Sequence, residues 1–351
     1  MITPAFWRAR PVLVTGHTGF KGSWLCWWLR QLGAEVAGFA LEPPTSPSLF
    51  ETSGLASAVR SVIGDVREPE AMKAVFRDHR PEVVFHLAAQ SLVRESIRSP
   101  VETFTTNVAG TANCLEAARH CQSVRAVVVV TTDKCYRNLG SRRGYREDDE
   151  LGGDDPYAAS KACAELVTQA YRESFFKPRA DALVASARAG NVIGGGDWAA
   201  DRLVPDAMRA FTAARPVKIR NPDSTRPWQH VLEPLCGYLV LAERLHAGMR
   251  GAAVAWNFGP DATDACSVSW MVEELARRWG GDASWQRDAG EQPPEAAELV
   301  LDSSKARAEL GWRPALPLHQ ALDWVVDWYR SFTARGAREV TLEQIARFQA
   351  L

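Results

Sequence analysis

Val12-Leu13-Val14-Thr15 runs straight into Gly16-His17-Thr18-Gly19-Phe20-Lys21-Gly22, and a helical pattern then carries on from Phe20 to Leu32. An apolar run, a glycine-rich turn and a helix in that order predict the first strand-to-helix junction of a dinucleotide-binding sheet. There the glycines permit a tight turn and let a pyrophosphate approach the backbone at a helix N-terminus. The spacing is G-x-x-G-x-x-G rather than G-x-G-x-x-G. A glycine-rich turn alone is a weak signal, so its place at the first junction is what gives it weight. Lys21 either pairs with the pyrophosphate or is a solvated charge at the helix start, and the sequence leaves both open.

Outward from this turn, β-rich apolar runs alternate with helical patterns over the first 190 residues, the signature of a parallel sheet. Predicted strands are Val12–Thr15, Val36–Phe39, Val59–Ile63, Val83–Leu87, Ala126–Thr131 and Leu183–Ala187. Predicted helices are Phe20–Leu32, Pro69–His79, Val101–Cys121 and Tyr157–Phe176. Val127-Val-Val-Val130 has no polar alternation, as suits a strand covered on both faces. Beyond Arg188 the texture changes, with Gly194-Gly-Gly-Asp197, Asn221-Pro-Asp-Ser224 and Glu291-Gln-Pro-Pro294 punctuating shorter elements. Thr341-Leu-Glu-Gln344 has capping-box spacing and predicts the start of a last helix. The fold class is therefore α/β: a doubly wound, Rossmann-type parallel sheet with a smaller C-terminal α/β domain. We expect residues 1–187 to form the dinucleotide domain, with segments near 226–260 returning to it, and residues 188–351 to form mainly the substrate domain.

Bulk properties narrow the function. The 351 residues are 46% hydrophobic and 24% charged, an ordinary globular composition. A net charge of −1 without a basic run argues against nucleic acid as a partner. No apolar stretch reaches the ~18 residues of a membrane span, and no signal-peptide pattern opens the chain. Seven cysteines without a C-x-x-C pair suit reduced, buried thiols in a cytoplasmic protein and no metal site. Trp24, Trp27 and Trp28 in one predicted helix, and Trp324 and Trp328 in another, read as packing residues. Seven lysines stand against 34 arginines within the 41 basic residues, and three of the seven (Lys21, Lys134 and Lys161) sit in motifs. Lysine is a compact point charge whose pKa moves on burial, which arginine cannot offer.

Tyr157-Ala-Ala-Ser-Lys161 puts phenol and ammonium on one helical face, where the cation lowers the phenol's pKa. A tyrosine near pKa 10 is otherwise a weak base at neutral pH. Chance produces such a pair often. Its position after the fifth strand, with Thr131-Thr132 at that strand's end, makes the reading specific: a hydroxyl there orients a substrate alcohol while Tyr157 takes its proton. The second strand lacks the acid that receives the ribose hydroxyls of NAD, since Glu42 comes late, and no arginine stands there for a 2′-phosphate. Gly64-Asp65-Val66 contacts adenine or is a plain turn.

Together these residues resemble the extended short-chain dehydrogenase/reductase superfamily, over nearly the whole chain: Thr15–Gly22, His86-Leu87-Ala88-Ala89-Gln90, Asn107, Thr132, Tyr157, Lys161, Arg188-Ala-Gly-Asn191 and Arg226-Pro-Trp-Gln-His230. Within it, Gly16-His-Thr-Gly-Phe-Lys-Gly-Ser-Trp24, Thr132-Asp133-Lys134, Asn191-Val-Ile-Gly-Gly-Gly-Asp197-Trp198 and Arg226–Val231 look closest to the CDP-glucose 4,6-dehydratases. The resemblance implies NAD as cofactor, held by Gly16, His17, Thr18, Gly19, Phe20, Lys21, Gly22, Asp65, Val66, Leu87, Ala88, Ala89, Asn107, Thr131, Tyr157 and Lys161. It implies CDP-glucose as substrate, contacted by Gln90, Ser91, Asn191, Asp197, Trp198, Arg202, Arg226 and His230. Arg202 and Arg226 equally suit a surface position.

The implied reaction is a redox-neutral elimination. Tyr157 takes the C4 hydroxyl proton as hydride passes to NAD, a base removes the C5 proton, an acid protonates the departing C6 hydroxyl, and hydride returns to C6. In the similar dTDP-glucose dehydratases an Asp-Glu pair follows the threonine. Asp133 matches the acid, but Lys134 stands where the Glu base would be. Lys134 is then the C5 base, or it stabilises the enolate-like intermediate or neutralises Asp133. Two other readings compete: a nucleotide-sugar 4-epimerase or reductase, which needs no acid–base pair beside the threonine, and a cofactor-sensing binding protein, which has little reason to keep Tyr157, Lys161, Thr132 and Asp133 together. The resemblance also implies a homodimer or homotetramer paired through the helices near Val101–Cys121 and Tyr157–Phe176, and a product destined for a deoxysugar of a surface polysaccharide such as an O-antigen.

Overall fold

The computed structural model describes residues 2–140, 143–179, 181–261, 264–290 and 299–351. The six apolar runs are strands: β1 (Pro11–Thr15), β2 (Glu35–Ala40), β3 (Arg60–Ile63), β4 (Val83–His86), β5 (Ala126–Val130) and β6 (Leu183–Ala189). In β5, Ala126, Val128 and Val130 enter one core while Val127 and Val129 enter another, which is why no polar residue interrupts the run. β1 divides likewise, Val12 and Val14 against Leu13.

All pairings are parallel, and the sheet order is β3-β2-β1-β4-β5-β6, extended beyond β6 by the strand Ala255–Phe258. The order reverses between β1 and β4, so a crevice opens at their carboxyl ends, where doubly wound sheets take ligands. Helices Phe20–Gln31, Leu232–His246, Leu318–Arg335 and Ala337–Gln349 cover one face; Pro69–His79 and Gly110–His120 cover the other. The tryptophans are core residues. Trp24, Trp28 and Trp328 are fully buried, and Trp28 meets Phe348 of the last helix edge-on at 5.6 Å. The chain's end thus returns to its first helix. Three short two-stranded ladders join segments beyond β6.

The stretch expected at Val101–Cys121 is helical from Pro100 to His120, with a wider π turn at Thr105–Ala109 between Pro100–Phe104 and Gly110–His120. Asn107 is the buried residue of this π turn, a feature frequent at functional sites. The helix predicted over Tyr157–Phe176 is found, as Pro156–Tyr171 closed by a π turn, Arg172–Phe176. The last helix begins at Ala337, after Gly336 with φ +90°, rather than at Thr341. Thr341 and Gln344 are buried within it, accepting from Trp328 Nε1 at 3.0 Å and donating to the Trp324 carbonyl at 2.8 Å. Their spacing serves tertiary bonds rather than a cap. The Glu291–Pro294 punctuation lies outside the described residues. No described helix is long and apolar enough to cross a membrane.

Candidate active site

The glycine turn closes tightly on itself. Gly16 has φ +77°, and a Cβ there would lie 2.8 Å from the Ala88 nitrogen; one on Gly22 would lie 2.1 Å from the Gly16 carbonyl oxygen. Thr15 Oγ1 accepts the N–H groups of Leu87 and Ala88, both at 3.1 Å, which draws the end of β4 and the following Ala89 against the turn. Helix Phe20–Gln31 starts at the turn with first-turn N–H groups that no helical carbonyl can accept. Bare backbone, orphan donors and a helix N-terminus fit the diphosphate of a dinucleotide.

Side chains of the turn mostly face away from that cradle. His17 is fully buried with Nε2 2.7 Å from Ser61 Oγ, and burial pushes its pKa down to about 4. Its ring packs onto β2, where Gly38 leaves room, so the imidazole is structural. Thr18 donates to the Leu41 carbonyl at 2.9 Å, fixing the turn to the end of β2. Phe20 packs against the core. Lys21 is neither a solvated helix-start charge nor turned to solvent. Its Nζ donates to Tyr238 Oη at 3.3 Å, and burial, then Arg202 and Lys161, push its pKa down to about 7.

Other expected cofactor contacts are occupied within the protein. Asp65 takes the Arg67 guanidinium at 2.6 Å and its N–H at 2.8 Å, and the Arg67 bond holds its carboxyl below the usual range. The Val66 side chain lies in the core. Asn107 is buried: Oδ1 accepts the Gln90 N–H at 2.8 Å, and Nδ2 donates to the Gln90 carbonyl at 3.0 Å and Ser160 Oγ at 2.8 Å. It therefore braces the loop after β4 against the tyrosine helix. Gln90 spends its amide on Leu92 and Thr103. Asn107 and Gln90 thus shape the crevice wall through their own bonds.

The acid–base candidates gather at the carboxyl end of β5. Thr131 follows the strand, and Thr132 caps a single 3-10 turn, Asp133–Cys135. Thr132 Oγ1 donates to Asp133 Oδ1 at 2.9 Å, and Lys134 Nζ donates to the same oxygen at 3.4 Å. Asp133 is sealed from solvent, yet its Oδ2 has no hydrogen-bond partner among the described residues. Tyr157 and Lys161, one turn apart on helix Pro156–Tyr171, are both buried. Spacing predicts that Lys161 lowers the Tyr157 pKa; instead burial raises it to about 12, opposed by the Thr132 hydroxyl and Arg202. The Lys161 ammonium is turned to the Val130 carbonyl at 3.2 Å. Tyr238, which sequence reasoning missed, completes the cluster, close enough to Tyr157 for their charges to interact.

Of the expected substrate contacts, Ser91, Asp197 and Arg202 meet across the crevice. Arg202 donates to Asp197 Oδ2 and to Ser91 Oγ, each at 2.9 Å. Trp198 beside them packs edge-on against Trp328, Tyr329 and Phe332. Asn191 carries a buried Oδ1 with no partner among the described residues, and Arg226 is buried on the short strand Thr225–Pro227, donating to the Thr225 carbonyl at 2.9 Å. His230 is corrected: fully buried between Trp24 and Trp324 at 5.8 Å each, with its pKa pushed down to about 3 by burial, it is a core residue. An aromatic slot formed by helices distant in sequence claims it.

The family model described as GDP-mannose 4,6 dehydratase matches residues 13–324. The chain belongs to this family. A Salmonella typhimurium protein named CDP-glucose 4,6-dehydratase is 50% identical over 95% of this chain and 94% of its own. The UDP-glucose 4-epimerase of Thermus thermophilus, solved with NAD, is 25% identical with a TM-score of 0.79, covering 91% of this chain and 98% of that one. The dTDP-glucose 4,6-dehydratase of Bacillus anthracis, also solved with NAD, shares the fold at 23% identity and a TM-score of 0.76, covering 92% and 97%.

Proposed function

We propose that the chain is a CDP-glucose 4,6-dehydratase, a hydro-lyase that converts CDP-D-glucose to CDP-4-keto-6-deoxy-D-glucose. The observation that carries this reading is the buried Asp133 with its Lys134 partner, directly after Thr132 and near enough to Tyr157 for their charges to interact. An epimerase has no use for such a pair, and the 50% identical relative bears the same activity in its name. NAD is the cofactor. The bare cradle at Gly16 and Gly22 suits its diphosphate, with Thr18, Gly19, Leu87 and Ala88 around it.

NAD held at the glycine turn would supply a reversible hydride store, so that oxidation at C4 and reduction at C6 cancel over the reaction. Thr132 orients the C4 hydroxyl, and Tyr157, reacting as the phenolate that the Thr132 hydroxyl and Arg202 favour against burial, takes its proton. The new ketone acidifies the C5 proton, which Lys134 removes. Asp133, whose Oδ2 has no partner among the described residues, protonates the C6 hydroxyl as it leaves as water. Lys134, which enters as the free amine, then returns its proton to C5, and the proton Tyr157 took from the C4 hydroxyl passes through solvent to replace the one Asp133 gave up. Arg202, held by Asp197, offers its guanidinium to the substrate diphosphate, a favourable pairing for a planar fork. In this reading residues 1–187, with returns near 226–260, hold the cofactor, and residues 188–351 mainly hold the sugar nucleotide.

The protein acts as a homodimer, or a pair of dimers, in the cytoplasm. Ile97, Val101, Phe104 and Leu166 are exposed apolar side chains on the helices Val93–Arg98, Pro100–Phe104 and Pro156–Tyr171, a surface suited to a second copy. All seven cysteines are free, as suits a reducing compartment. Its product feeds a deoxysugar of a surface polysaccharide such as an O-antigen. The test is direct: purified protein with CDP-glucose should develop the alkaline absorbance of a 4-keto sugar, near ~320 nm, with no net NADH. Absence of ketosugar from CDP-, dTDP-, UDP- and GDP-hexoses alike would overturn the dehydratase reading.

A further inference from the structure

Behind the Tyr157–Lys161 pair lies a buried charge that the reaction steps above do not use. Glu165 sits one further turn along the same helix, so Tyr157, Lys161 and Glu165 form one inward stripe at a spacing of four. Its carboxylate is completely engaged: Oε1 accepts Thr131 Oγ1 at 2.5 Å, and Oε2 accepts Ser186 Oγ at 2.6 Å and Arg188 Nη2 at 2.9 Å. Thr131 directly precedes the Thr132-Asp133-Lys134 turn, and Ser186 and Arg188 lie on β6. Arg188 in turn donates to Tyr136 Oη at 2.7 Å, and Tyr136 donates to Asn257 Oδ1 on the outermost strand at 2.7 Å. One carboxylate therefore joins the tyrosine helix to the exit of β5 and to β6.

We propose that Glu165 is the positioning residue of the Tyr157–Lys161 pair. It fixes the helix that carries the pair against the strand end that carries Thr132, Asp133 and Lys134, and it supplies the negative charge that keeps Lys161 an ammonium. The proposal rests on the dehydratase reading above.

The electrostatic surroundings support it. Burial pushes Lys161 down to about 8, and Glu165 is first among the groups that oppose it. The other ionisable groups around Lys161 give little help. Lys21 from the glycine turn is a second amine, and His86 at the end of β4 is held neutral with its pKa pushed down to about 3. The Cys135 thiol is held protonated by burial, while Asp133 faces Lys21 and Lys134. Around Glu165 itself, burial works against the charge. Arg188 and the hydroxyls of Ser186 and Thr131 outweigh it and hold the carboxyl below its usual range, with Arg172 nearby. A hydrogen-bonded, paired carboxylate of this kind is costly to break but serves to fix geometry.

In the dehydratase reading Lys161 serves as the cation one turn from Tyr157, so activity is lost as pH rises through the Lys161 pKa. Glu165→Gln should therefore lower kcat at least tenfold near pH 7.5 with little change in KM for CDP-glucose. The alkaline limb of the kcat profile should move down by about one pH unit or more. Because removing one partner can unfold a buried pair, Glu165→Gln/Arg188→Met provides a second variant without a stranded cation, and the limb should move down in it as well. Glu165→Asp keeps the charge and should keep the limb in place. An independent readout is the Lys161 resonance in protein labelled at lysine Cε, assigned by its loss in Lys161→Met; it should titrate at lower pH in Glu165→Gln. An alkaline limb and a Lys161 titration that stay at their wild-type positions in both charge-removing variants would overturn the inference, even if activity fell evenly at every pH. Failure of the wild-type protein itself to form ketosugar would instead overturn the dehydratase reading.

Discussion

Asp133 Oδ1 and Lys134 Nζ stand 3.4 Å apart at the end of β5, the carboxyl group sealed from solvent and the lysine about a third exposed (32%). One Asp133 oxygen, Oδ1, meets Lys134, while Oδ2 has no partner among the described residues. The pair therefore offers two groups, one for the leaving hydroxyl and the other for the neighbouring carbon.

Lys134→Ala should reduce ketosugar formation by about 10²-fold or more, the usual range for loss of a general base. In D2O the variant should also lose exchange of the C5 proton while C4 oxidation persists. Exchange at the wild-type rate, followed by NMR of the sugar, would show that another group is the base. Asp133→Asn should show the opposite pattern, keeping C5 exchange and losing elimination of the C6 hydroxyl.

Tyr157→Phe removes the proton acceptor without disturbing a side-chain bond that fixes the helix, since Asp155 caps that helix by accepting the Ala158 N–H at 2.9 Å. We expect kcat to fall by about 10²- to 10⁴-fold and binding of CDP-glucose to stay within a few-fold. Calorimetric titration checks the second half; a parallel loss of binding would mean that Tyr157 holds substrate rather than reacting with it.

Gly22→Ala tests the cradle. Its Cβ would sit 2.1 Å from the Gly16 carbonyl oxygen, so the turn must open. NAD binding, followed by quenching of the tryptophans, should weaken at least tenfold. Gly251→Ala is the control, because its Cβ meets nothing within 4 Å, and it should leave binding unchanged. Equal effects of both substitutions would refute the cradle.

How much of this site could be read from the chain follows from how local each feature is. The turn at Gly16–Gly22 and the Tyr157–Lys161 pair are visible because each lies within one turn or one helical period. The Lys21–Tyr238 contact spans 217 positions, and nothing near Tyr238 distinguishes it from the apolar helix around it. His230 misled for the converse reason. Its motif is polar and site-like, but Trp24 and Trp324 close around it only once three distant segments are packed. The π turn at Asn107 was equally hidden, because the sequence there keeps an ordinary helical period. Family resemblance located the segments, while the direction of each side chain came from packing.

Stability should fall on the acid side, and the buried histidines give the sign. Burial lowers the pKa of His17 to about 4 and those of His86 and His230 to about 3, so between about pH 6.5 and 4 the unfolded chain binds protons that the folded chain refuses. Their stabilisation is present above pH 6.5 and lost as pH falls, by up to about 4 kcal/mol per pH unit for three protons. Glu233 acts in the other direction. It is buried with its carboxylate accepting the N–H groups of Ala315 and Leu316 at 2.9 and 2.6 Å, and burial raises its pKa to about 7. Its contribution is present below its ordinary pKa of 4.5 and lost as pH rises through 7. Glu233→Gln keeps an acceptor for both N–H groups and removes the charge. The variant should melt a few degrees above wild type at pH 8 and lose stability more steeply between pH 7 and 5. Melting curves across that range decide the point, and a variant less stable than wild type at pH 8 would mean that the charged carboxylate, not the neutral acid, is the form that holds the loop.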